Sequence, residues 1–201
     1  DGGYVTTFFS QSGGTTDVVC VQRFDANGDL LGATVEIDAG NGSNYNPEIT
    51  TLNDGDYVIS WMASDPSSGY SIFVQRFNSD GTTQGDIVKL ISTEGPTGYE
   101  GTPSIKALAD GGYVVSFTGN DNNGDDSIFV QQFDANGIPV NQTPSSGFAS
   151  VPTKLEGLNE TAGLETDSKI IKFSDGSYAV AFVGMDSSYS NVYINVQKFN
   201  S

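Results

Sequence analysis

The chain has 201 residues, with 25 acidic and 8 basic side chains, no histidine and a formal net charge of −17. Holding a phosphate backbone takes Lys and Arg to displace counterions, so nucleic acid is excluded as a partner, and insertion into a membrane is not expected because no apolar run approaches the roughly 20 residues of a spanning helix. The absence of histidine excludes Ser-His-Asp and Cys-His chemistry, and the single cysteine, Cys20, excludes an internal disulfide and reads as a buried, inert thiol.

The first predicted element is a strand over Tyr4–Phe9, which alternates and is rich in aromatic and β-branched residues. A Gly/Ser/Thr loop, 10–17, leads to a second strand, Val18–Phe24, closed by the turn Asp25-Ala26-Asn27-Gly28. Asn-Gly is a strong hairpin signal because both residues tolerate positive φ. A short strand around Ala33–Ile37, a polar loop, 38–46, and a strand over Pro47–Leu52 follow, ending at the Asp54-Gly55 turn. The same order then recurs. Tyr57–Trp61 and Ile72–Phe77 are strands, followed by the turn Asn78-Ser79-Asp80-Gly81, a short strand Asp86–Leu90, a long loop, 92–102, and a strand Pro103–Leu108. Tyr113–Phe117 and Ile128–Phe133 begin the third copy, with the turn Asp134-Ala135-Asn136-Gly137. Residues 138–167 depart from the pattern as an irregular insertion, and a fourth copy runs through Lys169–Phe173, Tyr178–Phe182 and Val192–Phe199. No segment carries a 3.6-residue period with caps, so helix is not expected.

The copies begin near residues 1, 54, 110 and 175, so residues 1–201 read as one repeat domain, a fragment or part of a larger assembly. A sustained repeat of such units implies that each one buries its faces on its neighbours. In the strand after each Asp-Gly turn one face is bulky (Tyr57, Ile59, Trp61; Tyr113, Val115, Phe117; Tyr178, Val180, Phe182) and the other small and uncharged (Val58, Ser60; Val114, Ser116; Ala179, Ala181). A sheet wetted on one side would carry charge there. Both faces are therefore covered, large against small. The fold class is all-β and β-propeller-like, about four repeats of a four-stranded antiparallel blade, with a β-sandwich as the alternative. Fourteen strands are expected, the first copy lacking its first strand and the fourth its last, and open strand edges favour self-association.

The order Pro47-Glu48-Ile49 through Trp61, Ile72 through Gly81, Pro103 through Phe117 and Ile128 through Gly137 resembles the propeller-type repeats of large secreted bacterial surface proteins, often found beside RTX calcium-binding repeats in adhesins. The resemblance implies export, an extracellular or cell-surface place and calcium as a cofactor, and it carries over no catalytic residue. It gives a non-enzymatic structural or adhesion module, with a protein or glycan surface partner. A carbohydrate-binding, lectin-like propeller is the alternative, and a glycoside-acting enzyme a further one.

Several residues stand out as candidates. Asp121, Asn123, Asp125 and Asp126 crowd like charges into one loop, which a hard cation wanting six to eight oxygens would relieve. The acidic turns also place oxygens two residues apart, but Asp and Asn favour such turns by bonding their own backbone. Tyr70 and Tyr189 lie in predicted loops and are candidate ligand-binding aromatics. Trp61 has aromatic equivalents in the other copies and reads as core. Glu156, Glu160 and Glu165 are the acids that break the repeat and would carry any glycoside chemistry.

Overall fold

The computed structural model describes residues 2–11, 16–39, 42–66, 69–92, 100–120, 125–140, 152–155, 164–186 and 190–200. Among them the chain forms fourteen strands: β1 (Tyr4–Gln11), β2 (Asp17–Phe24), β3 (Val35–Ile37), β4 (Asn44–Thr51), β5 (Tyr57–Asp65), β6 (Gly69–Phe77), β7 (Thr83–Leu90), β8 (Glu100–Ala107), β9 (Tyr113–Asn120), β10 (Asp126–Phe133), β11 (Thr153–Leu155), β12 (Glu165–Lys172), β13 (Tyr178–Met185) and β14 (Val192–Phe199). They make four antiparallel sheets, ordered β1-β2-β3, β4-β5-β6-β7, β8-β9-β10-β11 and β12-β13-β14. These are blades 1 to 4. The inner strands β4, β8 and β12 lie side by side, and β1 lies beside β4. The arrangement is propeller-like, and the β-sandwich alternative falls away.

The large-against-small rule holds at all three joints. Tyr57, Ile59, Trp61, Phe73 and Phe77 of blade 2 pack on Val19, Val21 and Ile37 of blade 1. Tyr113, Val115, Phe117, Phe129 and Phe133 of blade 3 pack on Val58, Ile72, Val74 and Leu90 of blade 2. Tyr178, Val180 and Phe182 of blade 4 meet Val114, Ile128 and Val130 of blade 3. Each buried large side chain stabilises the fold by about 1.5–3 kcal/mol, so the core is a series of joints rather than one central mass. Cys20 and Trp61 are both buried, as their sequence context indicates.

Two polar residues of the recurring Val-Gln-Arg-Phe run explain its repetition. The Gln is a clasp within the blade: Gln22, Gln75 and Gln131 each donate from Nε2 to the carbonyl of the next residue, at 2.7–2.8 Å, and to a carbonyl beyond the following turn, that of Gly32, Gln84 or Val140. The Arg ties one blade to the next. Arg23 donates to the carbonyl of Asp80 and Arg76 to that of Ala135, each in the following blade's turn. Arg76 also pairs with Asp54 and Asp56 at 2.9 Å.

The turns differ from the predicted two-residue form in one detail. Gly28, Gly81 and Gly137 have positive φ, but Asn27, Asp80 and Asn136 do not. The first and third turns are instead closed by their first residue: the carboxylate of Asp25 accepts the Asn27 and Asp29 amides, and that of Asp134 accepts those of Asn136 and Ile138, whereas in the second turn Asp80 accepts the Thr82 amide. These bonds hold the carboxyls of Asp25 and Asp134 below the usual range.

Candidate functional site

The inner strands share an irregularity at one register. Pairing slips between Tyr45 and Glu48 in β4, between Gly101 and Ser104 in β8, and between Thr166 and Lys169 in β12. Each slip contains a non-glycine residue at positive φ: Asn46 at 49°, Thr102 at 44° and Asp167 at 54°. Asn and Asp accept this region at modest cost, whereas a β-branched Thr is a genuine outlier. Strain of this kind costs about 1–3 kcal/mol per residue and persists where the surroundings enforce it, typically at functional sites. Pro47 and Pro103 fit because a bulge is one of the few places where a sheet tolerates a residue with no amide hydrogen.

The three bulges converge on a pocket of about 360 Å³ lined by Asn46, Pro47, Glu48, Thr102, Pro103, Asp167, Ser168 and Lys169. Its walls come from blades 2, 3 and 4, so it exists only when the blades are assembled. Lys169 Nζ lies 3.4 Å from Glu48 Oε1, joining β12 to β4. Both side chains are substantially exposed, so this pair adds little stability. Two further contacts hold the walls: Thr102 Oγ1 to Thr118 Oγ1 at 3.0 Å, and Ser168 Oγ to Ser116 Oγ at 2.8 Å. The pocket thus presents two carboxylates, one ammonium, hydroxyls and an amide. That set suits a polyhydroxylated ligand, and paired carboxylates are the minimum for acid–base work on a glycosidic bond.

A row of aromatic side chains links blades 1 and 2. Phe9 and Tyr45 meet edge to face with ring centroids 6.3 Å apart, and Tyr45 and Tyr70 are tilted at 6.2 Å. Tyr45 directly precedes Asn46 of the pocket. Tyr70 lies in β6, not in a loop, and is half-buried against the joint between blades 2 and 3.

The other candidate residues lie elsewhere. Asp121, Asn123, Tyr189, Glu156 and Glu160 fall outside the described residues. Asp126 accepts a 2.6 Å bond from Asn120 Nδ2, and partial burial, then the charge of Asp125, raises its carboxyl. No cluster of three or more His, Cys, Asp or Glu side chains that could hold a metal is present among the described residues. Glu165 accepts the Ile128 amide at 3.3 Å and so bridges blade 4 to blade 3 rather than lining the pocket. Its register equivalents do the same work. Glu100 is fully buried and accepts from the Ser92 amide and hydroxyl of blade 2 and from Ser71. Asn44, also fully buried, donates to the Asp17 carbonyl of blade 1 and accepts from Trp61 Nε1 at 2.9 Å. Burial drives the Glu100 carboxyl upward against those three hydrogen bonds.

Glu48, Asp167 and Lys169 escape the sequence reading because Pro47 there marks the start of a strand and Asp167 falls inside the irregular insertion. No local signal marks the inner strands as starting at Asn44, Glu100 and Glu165, from which each bulges to keep Ile49, Ile105 and Ile170 in register.

No protein-family model matches the chain, and no curated protein matches it. Solved structures do. It is similar to an endo-arabinase from Bacteroides thetaiotaomicron at 13% identity and a TM-score of 0.55, covering 100% of this chain and 72% of that one. It is similar to an exo-1,5-alpha-L-arabinanase from a bovine ruminal metagenomic library at 12% identity and 0.58, covering 100% and 71%. It also resembles an alpha-L-arabinanase of Penicillium chrysogenum complexed with arabinobiose at 12% and 0.54, covering 98% of this chain and 59% of that one. These likenesses are of fold. They correct the expectation of a non-enzymatic structural or adhesion module, because solved chains that share this whole architecture are named for glycan cleavage.

Proposed function

We propose that the chain acts on glycans at the axial pocket, as a glycoside-cleaving propeller. The observation that carries this reading is the meeting of three strained bulges at one place, where they bring Glu48 and Asp167 from different blades into a single pocket. Isolated strain could be accidental, but the same strain three times at the same register, around an opening, is the pattern of a maintained site. The two carboxylates form the acid–base pair, and Lys169 pairs with Glu48 across the pocket. The names of the structurally similar proteins favour arabinose-containing glycans as the first substrates to try. Isothermal titration with arabino-oligosaccharides tests the binding half of the reading. Binding that weakens roughly tenfold or more in Asp167→Ala supports it. Equal affinity in the wild type and in Asp167→Ala would remove the pocket from the account.

Two expectations from the sequence accompany this reading as proposals. Extracellular placement follows from the resemblance to secreted repeats and suits a protein that meets polymeric glycans; among the described residues no helix is long and apolar enough to cross a membrane. Calcium at the loop before β10, with Asp125 and Asp126 among its ligands, would relieve the crowding of acids there. A melting midpoint that rises with calcium but not with magnesium supports that site, and identical curves in calcium and chelator would remove it.

A further inference from the structure

Blades 2, 3 and 4 each have an inner strand, and blade 1 among the described residues does not: β1 pairs with β2 on one side and with no described strand on the other. The consequences are visible at the joint between blades 1 and 2. In the next two joints, the leucine that follows the inner strand, Leu52 or Leu108, is buried in the core cluster. At the corresponding place beside blade 1 there is instead an open cavity of about 520 Å³, lined by Val5, Arg23, Leu31, Asn53 and Tyr57 among others. The hydroxyl of Tyr57, buried to within 3% of complete, has no hydrogen-bond partner. A buried hydroxyl left without a partner is destabilising. Phe9 on β1 is 54% exposed, whereas its equivalent Met62 on β5 is buried.

We propose that the free edge of β1 is a strand-docking site that takes an extended polypeptide segment in antiparallel pairing, with the inner-strand pattern Pro-x-Ile-x-x-Leu. The pattern is set by β4 and β8, where Pro47 and Pro103 sit at the bulge, Ile49 and Ile105 pair with the middle of the second strand, and Leu52 and Leu108 close the joint. On β1 the isoleucine would stand opposite Thr6, and the leucine would fill the cavity beside Val5 and Tyr57. Main-chain hydrogen bonds supply affinity, and the two apolar positions supply selectivity. The segment bridges to blade 2 as Asn53 does to blade 3, where its Nδ2 donates to the Ala109 carbonyl at 3.1 Å. This proposal does not depend on the glycan reading.

The test is a synthetic peptide with the sequence of residues 44–53, added to the whole chain. Hydrogen exchange by mass spectrometry should show β1 amides slowing by about tenfold or more, and the melting midpoint should rise with peptide concentration. A peptide carrying aspartate at both the Ile49 and Leu52 positions should do neither. Joining residues 44–53 to the start of the chain through a Gly/Ser linker should raise the midpoint without added peptide, and the same fusion with the two aspartates should not. Absence of β1 protection together with an unchanged fusion midpoint would overturn the proposal. So would protection confined to β14, or equal effects of the native and doubly substituted peptides.

Discussion

Individual residues in this chain carry either a joint or the pocket, and substitution separates the two. Trp61 is fully buried, and its Nε1 donates to Asn44. Trp61→Ala should destabilise by about 3–5 kcal/mol, read as a lowered urea midpoint, and should not alter glycan contacts in the surviving folded protein. Its role is legible in the sequence because every copy has an aromatic residue there. Glu100 is the opposite case. Nothing in the sequence distinguishes it from a solvated loop acid, since its burial depends on Ser71 and Ser92 of the preceding blade. Its carboxyl is raised above the ordinary 4.5 by burial. The folded state therefore keeps a proton that the unfolded state has released, and this contribution to stability declines as pH rises from about 4.5 through the folded value. Asp25, Asp80, Asp134 and Asp175 are lowered by their turn hydrogen bonds, so their contribution is present above the ordinary carboxyl range and lost only as pH falls below it. Glu100→Gln retains an acceptor for the Ser92 amide without the buried charge. Its stability relative to wild type should increase between pH 5 and pH 8 in denaturant titrations, and a flat or decreasing difference would contradict this account of Glu100.

At the scale of the strand, local sequence predicts most of the chain well. Alternation, Asp-Gly turns and the Val-Gln-Arg-Phe run mark thirteen of the fourteen strands, because each of these signals is satisfied inside one blade, and they miss β11, which lies in the irregular segment 138–167. The inner strands are where that reading falls short. Pro47 and Pro103 look like strand starts, yet β4 and β8 begin three residues earlier and bulge around the proline. A bulge is a bargain between the register of one sheet and the packing of the next, and the second partner is invisible locally. Thr102 shows its cost. Thr102→Gly removes a β-branched residue from positive φ and should raise stability by up to about 1 kcal/mol, net of the added freedom of the unfolded chain. The same change deletes the contact with Thr118 and loosens the pocket wall. Raised stability with weakened glycan binding is the expected pair of results. Lowered stability would mean that Thr102 is not strained.

The described residues form an open arc of four blades with unlike ends. One end shows the aromatic face of blade 1, where Tyr4 and Phe8 are exposed. The other shows the small face of blade 4, where Val192, Ile194 and Val196 are 62%, 78% and 65% exposed. The sequence reveals the repeat, and with it the joints, because the same residues recur in each copy. It does not reveal the axial pocket, since Glu48 and Asp167 come from copies more than a hundred residues apart and acquire a common role only through the curvature of the arc. For the same reason the acids that break the repeat look like the better catalysts in sequence, although Glu165, the described one, serves a joint. The decisive measurement is reducing-sugar release from arabinan and arabino-oligosaccharides by the wild type, Glu48→Gln and Asp167→Asn, each shown to be folded by circular dichroism. Release by the wild type that falls by roughly 10²–10⁴-fold in both variants is the expected result. Release that survives both substitutions, or no release from any glycan offered to the folded wild type, would contradict the assignment of the axial pocket as the site of glycoside cleavage.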